Sequence, residues 1–217
     1  MGNGMMRAFG PAACLLCLLA VAGCATLTRD RDAGPVAAPV ERQTSLAEEM
    51  ITGDRGRAWS LYGRGQYPEA VIEFRKVMAY GRTVEEREDG RFGLAKCLIR
   101  MEMFAQAVDT LGPFSTSPQT DATRRRMALA GQAMLLDGRT GDAETLLEIA
   151  LTDRDAPDVP PWMGACSANL ARAYLYNDKP AKAVTMYEKA ADIFRQAGRA
   201  DAATRAEEMA ESLRAAL

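Results

Sequence analysis

The chain has 217 residues, 26% of them charged and 48% hydrophobic, which suits one modest globular domain with a tail. Lys and Arg total 27 against 29 for Asp and Glu, a formal net charge of −2, so nothing indicates the basic face that a nucleic-acid partner demands. Histidine is absent, which excludes a Ser-His-Asp or Cys-His nucleophile system and His-ligated zinc.

Residues 1–23 carry one charge, Arg7, ahead of an apolar run over residues 12–21. That run is too short to span a bilayer comfortably and has the form of a signal-peptide core. It ends in Val21-Ala22-Gly23-Cys24, which resembles the bacterial lipobox. The resemblance implies cleavage before Cys24 by signal peptidase II and lipidation of Cys24. The alternative is an ordinary secretory signal with a chance cysteine. Ala25 stands where an inner-membrane retention signal places Asp, so the resemblance favours the periplasmic face of the outer membrane over the inner membrane. Three acyl chains exceed what stable anchoring requires.

Residues 24–44 hold Gly34, Pro35 and Pro39 with no apolar periodicity, and read as a linker. Fully extended, about 20 residues reach roughly 65 Å; as a random coil they span about 25 Å. Residues 45–217 form the globular part. Ser45-Leu46-Ala47-Glu48 fits a capping box, so a helix is expected from there to about Arg64, broken near Gly53 and Gly56, with Asp54 as a possible second cap. Ala and Leu are frequent and β-branched residues few, which makes the whole region helical by propensity.

A repeat organises this region. Small residues recur twelve apart, as Ala58 and Ala70, Ala95 and Ala107, Gly131 and Ala143, Ala171 and Ala183. Larger ones fill matching positions: Leu61, Phe74 and Val77; Leu98, Leu111 and Phe114; Met134, Leu147 and Ala150; Tyr174, Tyr187 and Ala190. Small residues let facing helices approach, and residues at i+3, i+4 and i+7 fill the holes beside them. Between the paired helices lie turns at residues 65–68, 102–104, 138–141 and 177–180, with Pro68 and Pro180 in first helical turns.

These four units resemble tetratricopeptide repeats (TPR) over residues 54–216, best at Ala130-Gly131-x-x-Met134 with Gly138 and at Leu170-Ala171-x-x-Tyr174. The unit spacings of 37, 36 and 40 exceed the family's 34, and the closing proline is missing throughout. The first unit departs most, with Asp54 and Arg57 where the family is apolar, and Trp59 stands five residues later than the signature tryptophan. The resemblance implies an all-α fold, a right-handed α-solenoid of about four helix-turn-helix units closed by a capping helix. Gly112-Pro113 should end one helix early, Asp121 should cap the next, and residues 155–161 form the longest break, after which Trp162 restarts the chain. Residues 200–216 should pack through Ala202, Ala206, Met209 and Leu213, leaving a charged outer face.

Cys97 and Cys166 fall two units apart, too far for a bridge between them, and read as buried free thiols or, less simply, intermolecular partners. The run Arg124-Arg125-Arg126 reads as a solvated helix face, or as a site for an acidic partner or lipid headgroup, because cations are disfavoured at a helix N-terminus. The acid pairs Glu85-Glu86 and Glu207-Glu208 lie on charged faces with no apolar setting to raise a pKa, so no enzyme is expected. No catalytic residue, metal or cofactor is assigned.

In the TPR family one face of each first helix lines a concave groove that binds peptides. Carried onto this chain, that face presents Arg55, Trp59, Tyr62, Phe92, Lys96, Ile99, Arg100, Arg125, Gln132, Leu135, Arg172 and Tyr176. The set holds aromatics and cations and no acid, a composition that suits interface hot spots. The expected role is a membrane-anchored periplasmic adaptor that binds another envelope protein or peptide and helps assemble an outer-membrane, pilus or secretion complex. The alternative is a docking regulator of peptidoglycan hydrolases or a peptidoglycan-associated protein. A groove that is empty or closed by its own loops is the remaining possibility.

Overall fold

The computed structural model describes residues 54–114, 120–152 and 160–217, and these carry nine helices and no strand. The signal segment, Cys24, the linker, the Ser45 capping box and much of the break before Trp162 lie outside the described residues. No described helix is long and apolar enough to cross a membrane.

The helices pair as the alanine register predicts. Unit one is α1 (Arg55–Gly63) and α2 (Tyr67–Tyr80), and unit two is α3 (Val84–Arg100) and α4 (Phe104–Leu111). Unit three is α5 (Asp121–Leu136) and α6 (Thr140–Leu151), and unit four is α7 (Pro161–Tyr176) and α8 (Pro180–Gln196). Helix α9 (Ala200–Ala216) packs on α8 and closes the stack. Every helix packs on the next one in sequence. First helices also meet those of adjacent units, α1 with α3, α3 with α5 and α5 with α7, whereas second helices do not pack on one another in the same way. Layers that touch on one side and splay on the other make a curved solenoid with the first helices inside.

The eight small positions form the packing seam. Ala58, Ala70, Ala95, Ala107, Ala143, Ala171 and Ala183 are fully buried, and Gly131 is buried beside Leu147, whose Cγ lies 2.5 Å from where a Cβ would sit. Phe74, Leu111 and Leu147 fill the holes between them. Two glycines outside that register, Gly90 and Gly93, bring α3 onto α2: a Cβ at 90 would lie 2.5 Å from the Met78 nitrogen.

Each paired turn closes in one way. Gln66, Met103, Arg139 and Lys179 donate their backbone N–H to the carbonyls of Leu61, Leu98, Met134 and Tyr174, a six-to-one Schellman closure at the unit spacing. The preceding residues Gly65, Glu102, Gly138 and Asp178 have φ between +57° and +79°, the left-handed region that glycine enters freely. Gly198 and the Arg199 N–H bond to Phe194 repeat the closure between α8 and α9. The turn into α9 thus has the same closure as the turns inside the units.

Three expectations need correction. Thr120, not Asp121, is the N-cap of α5, its hydroxyl accepting from the Thr123 N–H, with Asp121 in the first turn. Helix α9 packs through Ala206, with Ala202 and Leu213 partly buried against the core, but it also buries Ala203 and Ala210 and leaves the expected Met209 42% exposed. The smaller side chains win because they let α9 approach α8 closely.

The arginine run is the third. Arg124 donates to the carbonyls of Ala150 and Thr152 at the end of α6, and Arg126 donates to Leu111 O at the end of α4 (3.3 Å) and pairs with Glu88. Both cations therefore sit against the negative ends of neighbouring helices, which removes the conflict with their own helix's N-terminus. Arg125 lies over the Phe92 ring instead. Asp54 caps α1, accepting from the Arg57 N–H, so that Gly56 lies inside the helix and not at a break; Gly112 and Pro113 end α4 at Leu111, and Cys97 and Cys166 are buried free thiols.

Candidate partner-binding groove

Along the inner side the first helices expose a strip that begins at α1. Asp89 on α3 accepts from the Trp59 indole N–H at 2.9 Å and pairs with Arg55 at 3.6 Å. Trp59 meets Phe74 edge-on at 4.9 Å and Tyr62 at 5.7 Å, and Tyr62 meets Tyr67. Trp59 is therefore half built into the seam between α1, α2 and α3.

Lys96 stands over this wall. Its ammonium lies 5.6 Å from the Trp59 ring centre, 5.7 Å from Tyr62 and 5.4 Å from Phe92, and the Arg125 guanidinium covers Phe92 at 4.2 Å. Burial, and then the positive Arg125, push the Lys96 ammonium below its usual pKa; Asp89 pulls the other way. Cations over ring faces are stabilised by about 0.5–1 kcal/mol each at exposed sites.

Beyond this cluster the strip opens into two adjoining cavities. One, of about 380 Å³, is lined by Phe92, Lys96, Arg125, Gln132, Trp162, Asn169 and Arg199 among others. The other, of about 340 Å³, shares Gln132, Ala165 and Asn169 with it and adds Tyr187, Phe194, Arg205 and Met209. A smaller one, of about 150 Å³, lies towards α1, where Glu85, Glu88 and Asp89 face Arg55, Arg125 and Arg126.

The expected groove residues divide. Arg55, Trp59, Tyr62, Phe92, Lys96 and Arg125 come together across α1, α3 and α5, and Gln132 joins both larger cavities. Ile99 packs against the core, and Leu135 is buried. Arg100 bonds the Tyr67 hydroxyl at 3.0 Å beside the α1–α2 turn. Arg172 and the 64% exposed Tyr176 line neither cavity. The inner face is also not free of acid, since Glu85, Glu88 and Asp89 share it. Asp89 precedes Phe92 by three and Lys96 by seven, so helical spacing alone places it on their face. The cavities also take in Asn169, Arg199 and Arg205, which the repeat pattern does not single out; Arg199 lies in a turn, where helical periodicity assigns no face. Among the described residues no cluster of three or more Cys, Asp or Glu could hold a metal ion.

No family model and no curated protein matches the chain. Among solved structures it is similar to nearly identical TPR-like repeats from a kinesin light chain of Podosopora anserina, at 19% identity and a TM-score of 0.48, covering 74% of this chain and 93% of that one. A point variant of those repeats scores 0.49 at 22% identity, covering 74% and 91%. MamA scores 0.47 at 15% identity, covering 72% and 94%. Scores below one half leave the architecture resting on the chain's own helices and contacts.

Proposed function

We propose that this chain is a non-enzymatic adaptor, anchored through Cys24 at the periplasmic face of the outer membrane. It holds a segment of another envelope protein along its first helices, as an assembly factor for an outer-membrane, pilus or secretion complex. The observation that carries the reading is the pair of adjoining cavities on the inner side, edged by Phe92, Trp162, Lys96 and Arg125. Aromatic and arginine side chains at the rim of a concavity are what protein interfaces use as anchors. The absence of histidine removes the commonest acid-base group from the whole chain.

A photocrosslinker at position 132 or 169, activated in cells and read by mass spectrometry, tests the groove. One envelope protein should be captured from both positions and not from position 72 on the outer side. Equal capture from all three would remove the groove from the account. For the anchor, Cys24→Ala should shift the chain from the membrane to the soluble fraction; unchanged membrane retention would remove that part alone.

A further inference from the structure

The net charge of the chain is −2, yet its two larger inner cavities are walled by Lys96, Arg125, Arg199 and Arg205 with no carboxylate among their lining residues. None of these four cations takes part in an ion pair with a described residue. Several cations outside these cavities are paired: Arg139 with Asp142, Lys179 with Glu144, Arg195 with Asp192 and Glu207, and Arg214 with Glu188. The smaller cavity near α1 is compensated too, through Asp89 with Arg55 and Glu88 with Arg126. The two larger cavities thus gather four cations on the inner face between α3 and α9 with no carboxylate beside them in the lining.

Asp89 acts on Lys96 from beside the smaller cavity, and within the larger cavities Lys96, Arg125 and Arg199 lie against rings. Phe92 lies beneath Arg125 and near Lys96, and Phe194 lies 5.8 Å from the Arg199 guanidinium carbon. Rings offset part of the repulsion between neighbouring cations and leave their charge available. Gln132 and Asn169 stand between the cations, on the stretch the two cavities share. Amides in that position can donate to and accept from the backbone of a chain lying along the groove.

Curvature decides the shape of the occupant. A flat anionic bilayer cannot reach cations on the inside of a curved stack, whereas an extended chain can. Adjacent packed helices lie about 8–10 Å apart, and an extended peptide rises about 3.3 Å per residue. Acidic side chains roughly three residues apart would therefore meet Lys96 on α3 and Arg125 on α5, and others beyond α7 would meet Arg199 and Arg205.

We propose that the occupant of the groove is an extended peptide segment bearing several internal acidic side chains, held by Lys96, Arg125, Arg199 and Arg205 and bonded along its backbone by Gln132 and Asn169. This rests on the adaptor reading and gives its partner a chemistry.

The test uses the purified full chain and a fluorescein-labelled glutamate-rich peptide, amidated at its C-terminus so that only side-chain carboxylates are offered. Anisotropy should report binding that weakens steeply with added salt, since the contacts are charge pairs partly open to solvent. The glutamine counterpart should not bind, and Arg125→Glu with Arg199→Glu should weaken binding by about tenfold or more. Both positions are exposed, so helical content by circular dichroism should be unchanged. Equal binding of the glutamine peptide, or full affinity in the folded double variant, overturns the proposal. Binding to phosphatidylglycerol vesicles but not to the peptide overturns it in favour of a lipid headgroup. If position 132 crosslinks an envelope protein while the glutamate peptide fails, the acidic chemistry falls and the adaptor stands; failure of both removes both.

Discussion

The Phe74 ring occupies the space beside Gly93 so fully that a Cβ at that glycine would lie 2.2 Å from the ring. Phe74 is completely buried and braced by Trp59, so it cannot swing away. Helix propensity favours Ala over Gly by about 1 kcal/mol, but overpacking costs typically 1–3 kcal/mol and here falls on an immobile ring. Gly93→Ala should therefore lower stability to urea by about 1–2 kcal/mol net. Gly141 in α6 has nothing within 4 Å of its added Cβ, and Gly141→Ala should be neutral or stabilising. Equal effects at the two sites would show that the α2–α3 contact is looser than described.

Turn closure supplies a second prediction. Glu102 adopts a left-handed conformation (φ 60°) at the turn position where units one and three have glycine. A non-glycine residue there costs roughly 1–2 kcal/mol, offset in part by the greater unfolded-state freedom that glycine brings. Glu102→Gly should raise the thermal midpoint slightly, and Gly138→Ala should lower it. Opposite signs from gaining a glycine at one turn and losing it at the equivalent turn would establish that the backbone, not side-chain contact, is responsible.

Acid pH should loosen the joint between units three and four. Burial would raise the Glu144 pKa, but hydrogen bonds from Lys179 and Asn177, with the positive Lys179 and Lys182 nearby, outweigh it and hold the carboxyl below its ordinary 4.5. A depressed folded-state pKa contributes stability that is present above the unfolded value and is lost as pH falls through the folded one. Wild type and Glu144→Gln should differ in thermal midpoint at neutral pH and converge as pH falls from 4.5 through the lowered value of the folded chain. A constant difference across that range would place the contribution elsewhere.

Both thiols should be silent in the folded chain. Burial pushes Cys97 up to about 11 and Cys166 up to about 12, well above the ordinary 9.0. The thiolate is the reactive form, so iodoacetamide at neutral pH should label neither until denaturant is added, as read by mass spectrometry. The sign at high pH follows: an acid raised on folding leaves the unfolded chain easier to ionise, so stability should fall as pH rises past about 9. Rapid native labelling at Cys97 would reveal opening of the α3 hairpin.

Trp59 makes the last case. Its indole N–H bonds Asp89 and its ring packs on Phe74, so Trp59→Ala should lose stability by about 2–3 kcal/mol, somewhat below the fully buried case. Trp59→Phe should recover much of the packing but not the bond to Asp89. A Trp59→Ala chain of unchanged stability would restore Trp59 as a free docking aromatic.

The helical hairpins were legible because their causes are local. Alanines twelve apart fit only if two helices face each other across a short turn, and glycines or prolines mark those turns at residues 65–68, 138–141 and 177–180. Sequence by itself determined the fold class, the unit boundaries and the buried positions from Ala58 to Ala183. It could not determine which cations are already neutralised. Arg124, Arg125 and Arg126 are identical and adjacent in the chain, yet two meet carbonyls at the ends of α6 and α4 and one meets the Phe92 ring. Those partners lie 15 to 33 residues away, and only the stacking of successive hairpins brings them near. The tertiary structure alone decided that Trp59 is part of the wall and that Arg125 and Arg199 share one cavity. Charge compensation is settled by distances of a few ångströms across helices, which no single-helix periodicity contains.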